Sequence, residues 1–269
     1  MPLVQANGLD INHRITGDGA ETVVLVNGVG DDQEGWAMQV EPLVAAGLRV
    51  ITFDNRGVGR TSSPPGPYSS RAMAEDTKGL ADALGISAFH LVGVSMGGLI
   101  AQEYALAYPG DLRSVVLANT YGKPDAYTRA AFDSWAQTAV AGGMPLMMRQ
   151  QAPWVFSPAF YEAHDEQLAA ILRDMERSTQ PAASFAAQIA ALLSHDCTDR
   201  LGSLQTPALV IAADDDIIIR LSLSHRLYEE LPHGSWAIVP GGHAAFVENP
   251  DPWNRAVIAF IDQHRGAVQ

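Results

Sequence analysis

Residues 91–98 read Leu-Val-Gly-Val-Ser-Met-Gly-Gly, placing Ser95 between two small neighbours inside an apolar stretch. A serine hydroxyl is a weak nucleophile near neutral pH and becomes an effective one when an adjacent base takes its proton. A lone Gly-x-Ser-x-Gly arises by chance in roughly one chain in ten of this length at ordinary Gly and Ser frequencies. The rest of the chain therefore has to supply a base, an acid and electrophilic donors.

Histidine is the usual base, because its ordinary pKa of about 6.5 lets it accept and return a proton near neutrality. Of the eight histidines, His243 is best placed: it follows the apolar run 235–240 through Gly241-Gly242 and precedes a helix-like segment. His90 falls within an apolar run, and His13, His164, His225, His233 and His264 read as surface or turn residues. His195 is the one competitor. The imidazole needs a carboxylate to fix its tautomer, and the run 208–214 ends in three aspartates, Asp214, Asp215 and Asp216, which spacing alone does not rank. An oxyanion needs two backbone N–H groups. Those of Met96, directly after the serine, and of Val29, in the glycine-rich loop after the first parallel strand, fit that need. His195, Asp196 and Cys197 lie together, but a zinc site needs four ligands at recognisable spacing and a second cysteine is missing, so no metal is expected.

These residues need elements to hold them. Six short runs are apolar at nearly every position: 23–27, 49–54, 88–94, 114–120, 208–214 and 235–240. Continuous rather than alternating apolarity predicts strands buried on both faces, as in a parallel sheet with helices on each side. Helical spacing lies between them, at 70–86 and 96–110, the second stopped by Pro109-Gly110. The fold class is α/β, a mostly parallel, doubly wound sheet. Ser95 ends one strand run and opens a helix, the strand-turn-helix setting of a nucleophile elbow. From Tyr121 to about Arg200 no strand-like run appears. Three stripes at helical spacing occupy that stretch: Phe132, Trp135, Ala136, Ala139; Leu168, Ile171, Leu172, Met175; and Phe185, Ile189, Leu192, Leu193. An all-helical insertion over 121–200 thus interrupts a core made of 1–120 and 201–269.

Composition sets the outer limits. The chain has 269 residues, 47% hydrophobic and 17% charged, enough to bury a large core. Its 30 acidic residues against 17 basic ones leave a formal charge of −13, which argues against nucleic acid and acidic membrane surfaces as partners. A single cysteine rules out an internal disulfide. The start of the chain lacks the layout of a signal peptide and no apolar run reaches the roughly 18 residues of a membrane helix; a cytoplasmic location is expected.

Four segments together resemble the α/β-hydrolase superfamily over essentially the whole chain. "LVNGVGDDQEGW" is similar to its oxyanion loop, "FDNRGVGRTSSP" to its Asp-x-Arg-Gly-x-Gly-x-Ser segment, "GVSMGG" to its nucleophile elbow, and "GGHAAFVENP" to its histidine loop. The order Ser, Asp, His is also the family's. Matching the family's Gly-x-x-Asp-x-x-x-Pro pattern to "AADDDIIIRLS" implies Asp216 as the acid. Departures are Asn27 for a common histidine, Arg220 for the proline and Thr61 for a serine; Asn119 stands where some members place the acid. The overall look is to small bacterial enzymes resembling 3-oxoadipate enol-lactonase and aminoacrylate hydrolase.

The resemblance implies a serine hydrolase acting on a small-molecule ester or lactone, with Ser95, His243 and Asp216 as triad, Val29 and Met96 as oxyanion donors, and no cofactor. Perhydrolysis or acyl transfer by the same triad, carbon–carbon bond hydrolysis, and a slow-turnover ligand receptor are the alternatives. Trp135, Met144, Met148, Trp154 and Phe156 of the insertion are the expected pocket residues.

Overall fold

The computed structural model describes residues 3–266. Eight strands form one sheet: β1 (Leu3–Ala6), β2 (Leu9–Thr16), β3 (Glu21–Val26), β4 (Leu48–Phe53), β5 (Phe89–Val94), β6 (Leu112–Ala118), β7 (Ala208–Ala213) and β8 (Gly234–Val239). Their order is β1-β2-β4-β3-β5-β6-β7-β8. From β4 to β8 all neighbours run parallel, whereas β1 and β2 are antiparallel to each other and β2 is antiparallel to β4. Helices α1 (Ala37–Ala45), α2 (Ser70–Ala83) and α3 (Met96–Ala107) precede β6. Between β6 and β7 come α4 (Ala126–Gly142), α5 (Met144–Val155), α6 (Pro158–Ala163), α7 (Asp165–Glu176), α8 (Ala182–Ser194) and α9 (Thr198–Leu201). The core resumes with α10 (Leu221–Glu229), α11 (Ala245–Glu248) and α12 (Pro250–Gln263).

Strands β5 and β7 are buried at every position, and β3 and β6 along all but their first two residues. Because successive side chains point to opposite faces, such strands must be covered on both. Two features differ from the sequence reading. The hairpin β1–β2 was not foreseen, because its polar residues are buried by pairing: Asn12 Nδ2 donates to Asp54 Oδ2 at 2.7 Å, and Asn12 N to Thr61 Oγ1 at 2.9 Å. His13, expected at the surface, is buried there opposite Phe53. Strand β8 is an edge strand, half-exposed and with Ile238 open to solvent, since only β7 flanks it.

The helices between β6 and β7 carry the three stripes, on α4, α7 and α8. Phe132, Trp135, Phe185, Ile189 and Leu192 are buried, and α4 packs on both α5 and α8. On α7 only Leu168 is buried, so that helix is the most solvated of the long ones.

Candidate active site

Ser95 occupies φ 53°, ψ −116°, a left-handed backbone that costs a non-glycine residue about 1–3 kcal/mol. The turn is held there from several sides. Ser95 N donates to the Ala118 carbonyl at 2.9 Å, and its own carbonyl accepts from Gly98 N at 2.9 Å and Thr120 Oγ1 at 2.9 Å. A Cβ on Gly93 would strike the Gly97 carbonyl, and one on Gly97 the Val26 carbonyl, so strand and helix pass closely only with glycine at both places. Ser95 Oγ has no hydrogen-bonding partner among the described residues.

His243 follows β8 on the turn before α11. Its Nδ1 lies 2.8 Å from Asp216 Oδ2, while Nε2 is unpaired among the described residues. Asp216 is buried and takes three further donors: Asn119 Nδ2 at 2.9 Å on Oδ2, and the N–H groups of Ile218 at 2.9 Å and Ile219 at 2.8 Å on Oδ1. The neighbouring aspartates go elsewhere. Asp214 Oδ1 accepts from Gly241 N at 3.0 Å, and Asp215 is exposed. Asn119 links the two halves of the site: it follows Ala118, whose carbonyl holds Ser95, and its side chain holds Asp216. Burial disfavours the charged form of His243, but the charge and hydrogen bond of Asp216, with help from Asp31, outweigh it and raise the imidazole pKa above its usual value.

Val29 N–H and Met96 N–H have no acceptor in the described protein. The loop that carries Val29 is clamped on either side of it. Gly30 N donates to Gln188 Oε1 of α8 at 3.1 Å, and Gln188 Nε2 donates to the Arg56 carbonyl at 2.9 Å. Asn55 Nδ2 donates to the Asn27 carbonyl at 3.1 Å, and Asp54 accepts from Gln33 N and Arg60 N, both at 2.9 Å. Arg56 forms a two-point pair with Asp76 at 2.6 and 2.7 Å. Asp54 and Arg56 thus brace loops and touch no reacting group.

Of the expected pocket residues, Met148 reaches Gly30 from α5 of the insertion, beside Phe185. Met144 and Phe156 are buried, Phe156 stacked on Phe160 at 5.4 Å between ring centres. Trp135 and Trp154 line a cavity of about 240 Å³ whose walls come from α4 and α5 alone. One residue of the site was missed by sequence reasoning: Asp31, two positions after Val29. Its signal was visible as the acidic pair Asp31-Asp32 inside the loop that carries Val29.

Other clusters with the same residue types lie apart. His90 bridges Ser114 Oγ at 2.8 Å and Glu21 Oε2 at 2.9 Å, but all three sit at the amino-terminal ends of β3, β5 and β6, the opposite sheet edge from Ser95. His195 Nδ1 meets Ser70 Oγ at 2.8 Å, and burial pushes its pKa down to about 4. Cys197 Sγ donates to Gln102 Oε1 at 2.9 Å and Asp196 pairs with Lys123 at 2.6 Å, so these neighbours point to separate partners. Among the described residues no group of three or more His, Cys, Asp or Glu converges as metal ligands, and no helix is long and apolar enough to cross a membrane.

The family model for the alpha/beta hydrolase fold matches residues 21–250. The chain belongs to the α/β-hydrolase fold family. Within that family it is 31% identical over 251 residues to the RutD protein of Agrobacterium fabrum, named for carbamate hydrolysis, covering 93% of this chain and 96% of the relative. Among solved structures it is similar to the enol-lactonase from Burkholderia xenovorans LB400, with 26% identity, TM-score 0.91, and 97% and 100% of the two chains covered. A thermophilic esterase from Thermogutta terrifontis matches with 26% identity, TM-score 0.87, and 98% and 97% covered. This α/β-hydrolase is accordingly a hydrolase, as these relatives are.

Proposed function

We propose that the protein is a serine hydrolase that cleaves a carboxylic ester or lactone through an acyl-enzyme on Ser95. The observation that carries this reading is the hydrogen-bonded pair His243 Nδ1–Asp216 Oδ2 at 2.8 Å, on the same sheet edge as a strained Ser95 with a free hydroxyl. With Nδ1 engaged by a carboxylate, Nε2 is the nitrogen left to act as base.

In this mechanism Ser95 Oγ attacks the carbonyl carbon as its proton passes to His243 Nε2. The carbonyl oxygen becomes an oxyanion, which the N–H groups of Val29 and Met96 receive; both are unengaged, and Met96 adds the positive end of α3. Collapse expels the alcohol oxygen, which takes the proton from His243. Water then attacks the acyl-enzyme, gives a proton to His243, and the acid leaves as Ser95 regains its hydrogen. The net change is ester plus water to acid plus alcohol. The enol-lactonase and esterase neighbours support an ester-type carbonyl. The likeness to RutD favours carbamates as a second substrate class.

The deciding experiment is hydrolysis of short p-nitrophenyl esters by wild type and Ser95→Ala. A loss of about a thousandfold or more in kcat is expected, together with a phosphonate adduct on the peptide containing Ser95 in wild type alone. Retained turnover in Ser95→Ala overturns the reading.

A further inference from the structure

The oxyanion loop holds a carboxylate that the mechanism above does not use. Asp31, an exposed residue, makes no hydrogen bond or ion pair among the described residues. A methyl group placed on Gly28 would lie 3.3 Å from Asp31 Oδ2 and 3.5 Å from Ser95 Cβ, so the carboxylate borders the same space as the nucleophile. The residue is solvent-exposed, yet the protein packed around its carboxyl, with the adjacent Asp32 adding to the effect and His243 opposing it, pushes its pKa up to about 6. Asp32 and His243 are the charged groups that act on it. The side chains that close over the loop, Met148 of α5 and Phe185 and Gln188 of α8, are uncharged.

A carboxylate left unpaired beside a nucleophile has two effects. It offers an acceptor to whatever fills the cleft, and it repels an anion there. We propose that Asp31 is a specificity-determining residue: its carboxylate receives an ammonium or other hydrogen-bond donor on the substrate near the scissile carbonyl, and rejects substrates that carry a carboxylate at that place. The substrate class becomes an ester or lactone bearing a protonated amine or a hydroxyl. Asp31 also joins Asp216 in favouring protonated His243, so the acid limb of the pH profile depends on it.

This inference rests on the serine-hydrolase reading, and the test separates the two. Three methyl esters of matched length serve as probes: β-alanine methyl ester (cationic), methyl butanoate (neutral) and monomethyl succinate (anionic). Between unit charges some 5 Å apart in a partly wet cleft, attraction or repulsion is worth about a factor of ten or more. The ratio of kcat/KM for the cationic over the anionic ester is therefore expected to fall by about tenfold or more in Asp31→Asn. In the same variant the acid limb for the neutral ester should move to lower pH, because a negative charge near the imidazole is gone. Asp31→Glu should restore part of both effects, which a purely structural role would not do. A ratio that moves by less than about twofold with an unshifted acid limb, in a protein with wild-type circular dichroism, overturns the proposal. If no ester turns over, the parent reading fails and binding decides: calorimetric titration of Ser95→Ala with the cationic and anionic esters should show a preference that Asp31→Asn erases. Equal binding of both overturns it.

Discussion

Four donors converge on the two oxygens of Asp216, and this saturation explains why that residue, rather than Asp214 or Asp215, holds His243. The neighbour at 214 fastens the histidine turn instead. Asp31 is the opposite case, a carboxylate with no donor. Its folded-state pKa of about 6 stands above the ordinary 3.8, so the folded protein holds this proton more tightly than the unfolded chain does. As pH rises from about 4 to 6 the unfolded state gains the advantage, and the folded state stays disfavoured at all higher pH. Asp31→Asn is therefore expected to raise the melting temperature at pH 7.5, with the difference closing as pH falls toward 4. Calorimetric scans at both pH values check it; an equal or lower melting temperature at pH 7.5 would contradict the assignment.

Among the elements, the turn between α5 and α6 is tied to the histidine loop. Glu248 Oε1 accepts from Ser157 N at 2.9 Å and Gly242 N at 3.1 Å, its Oε2 accepts from Ser157 Oγ at 2.6 Å, and Ala244 N donates to the Val155 carbonyl at 2.9 Å. Glu248→Gln turns one acceptor oxygen into a donor against groups that can only donate, or that prefer to. The expected cost is about 2 kcal/mol, a fall of about 4–8 °C in melting temperature for a chain of this size. Turnover should fall with it, because Gly242 adjoins the base; thermal unfolding and p-nitrophenyl ester hydrolysis measure both. Five of the six parallel strands, β3 to β7, were legible because their burial on both faces imposes runs of Val, Ile and Leu; β8 was legible from its apolar run although it is half-exposed. β2 was not, because its interior face is satisfied by polar pairing, Asn12 with Asp54 and Thr61, and such partners lie 42 and 49 residues away in sequence. The positions of Ser95 and His243 were readable from their turns. The acid among three aspartates needed either the family pattern or coordinates. The closeness of Asp31 to Ser95 was illegible, since it depends on the path of a loop that is set by its clamps to Gln188 and Asn55.

Over the whole molecule, a formal charge of −13 sets a diffuse negative potential that is distinct from the local carboxylate of Asp31. The two separate by range. Salt screens the diffuse field, with a Debye length of about 8 Å at physiological strength, and leaves a contact inside the cleft largely intact. Raising ionic strength from about 0.02 to 0.3 M should increase kcat/KM for monomethyl succinate and decrease it for β-alanine methyl ester, in Asp31→Asn as well as in wild type. Salt-independent rates for both esters would remove the long-range contribution. The tie at residues 155–157 has a consequence for how such a chain can be rebuilt. Exchanging the inserted segment 121–200 for that of another protein would carry off Ser157, and so strip Glu248 of partners it holds together with Gly242, the neighbour of His243. A graft that leaves α5 and α6 with the host and exchanges only the sparsely buried α7 would change the insertion while leaving these ties to the histidine loop in place.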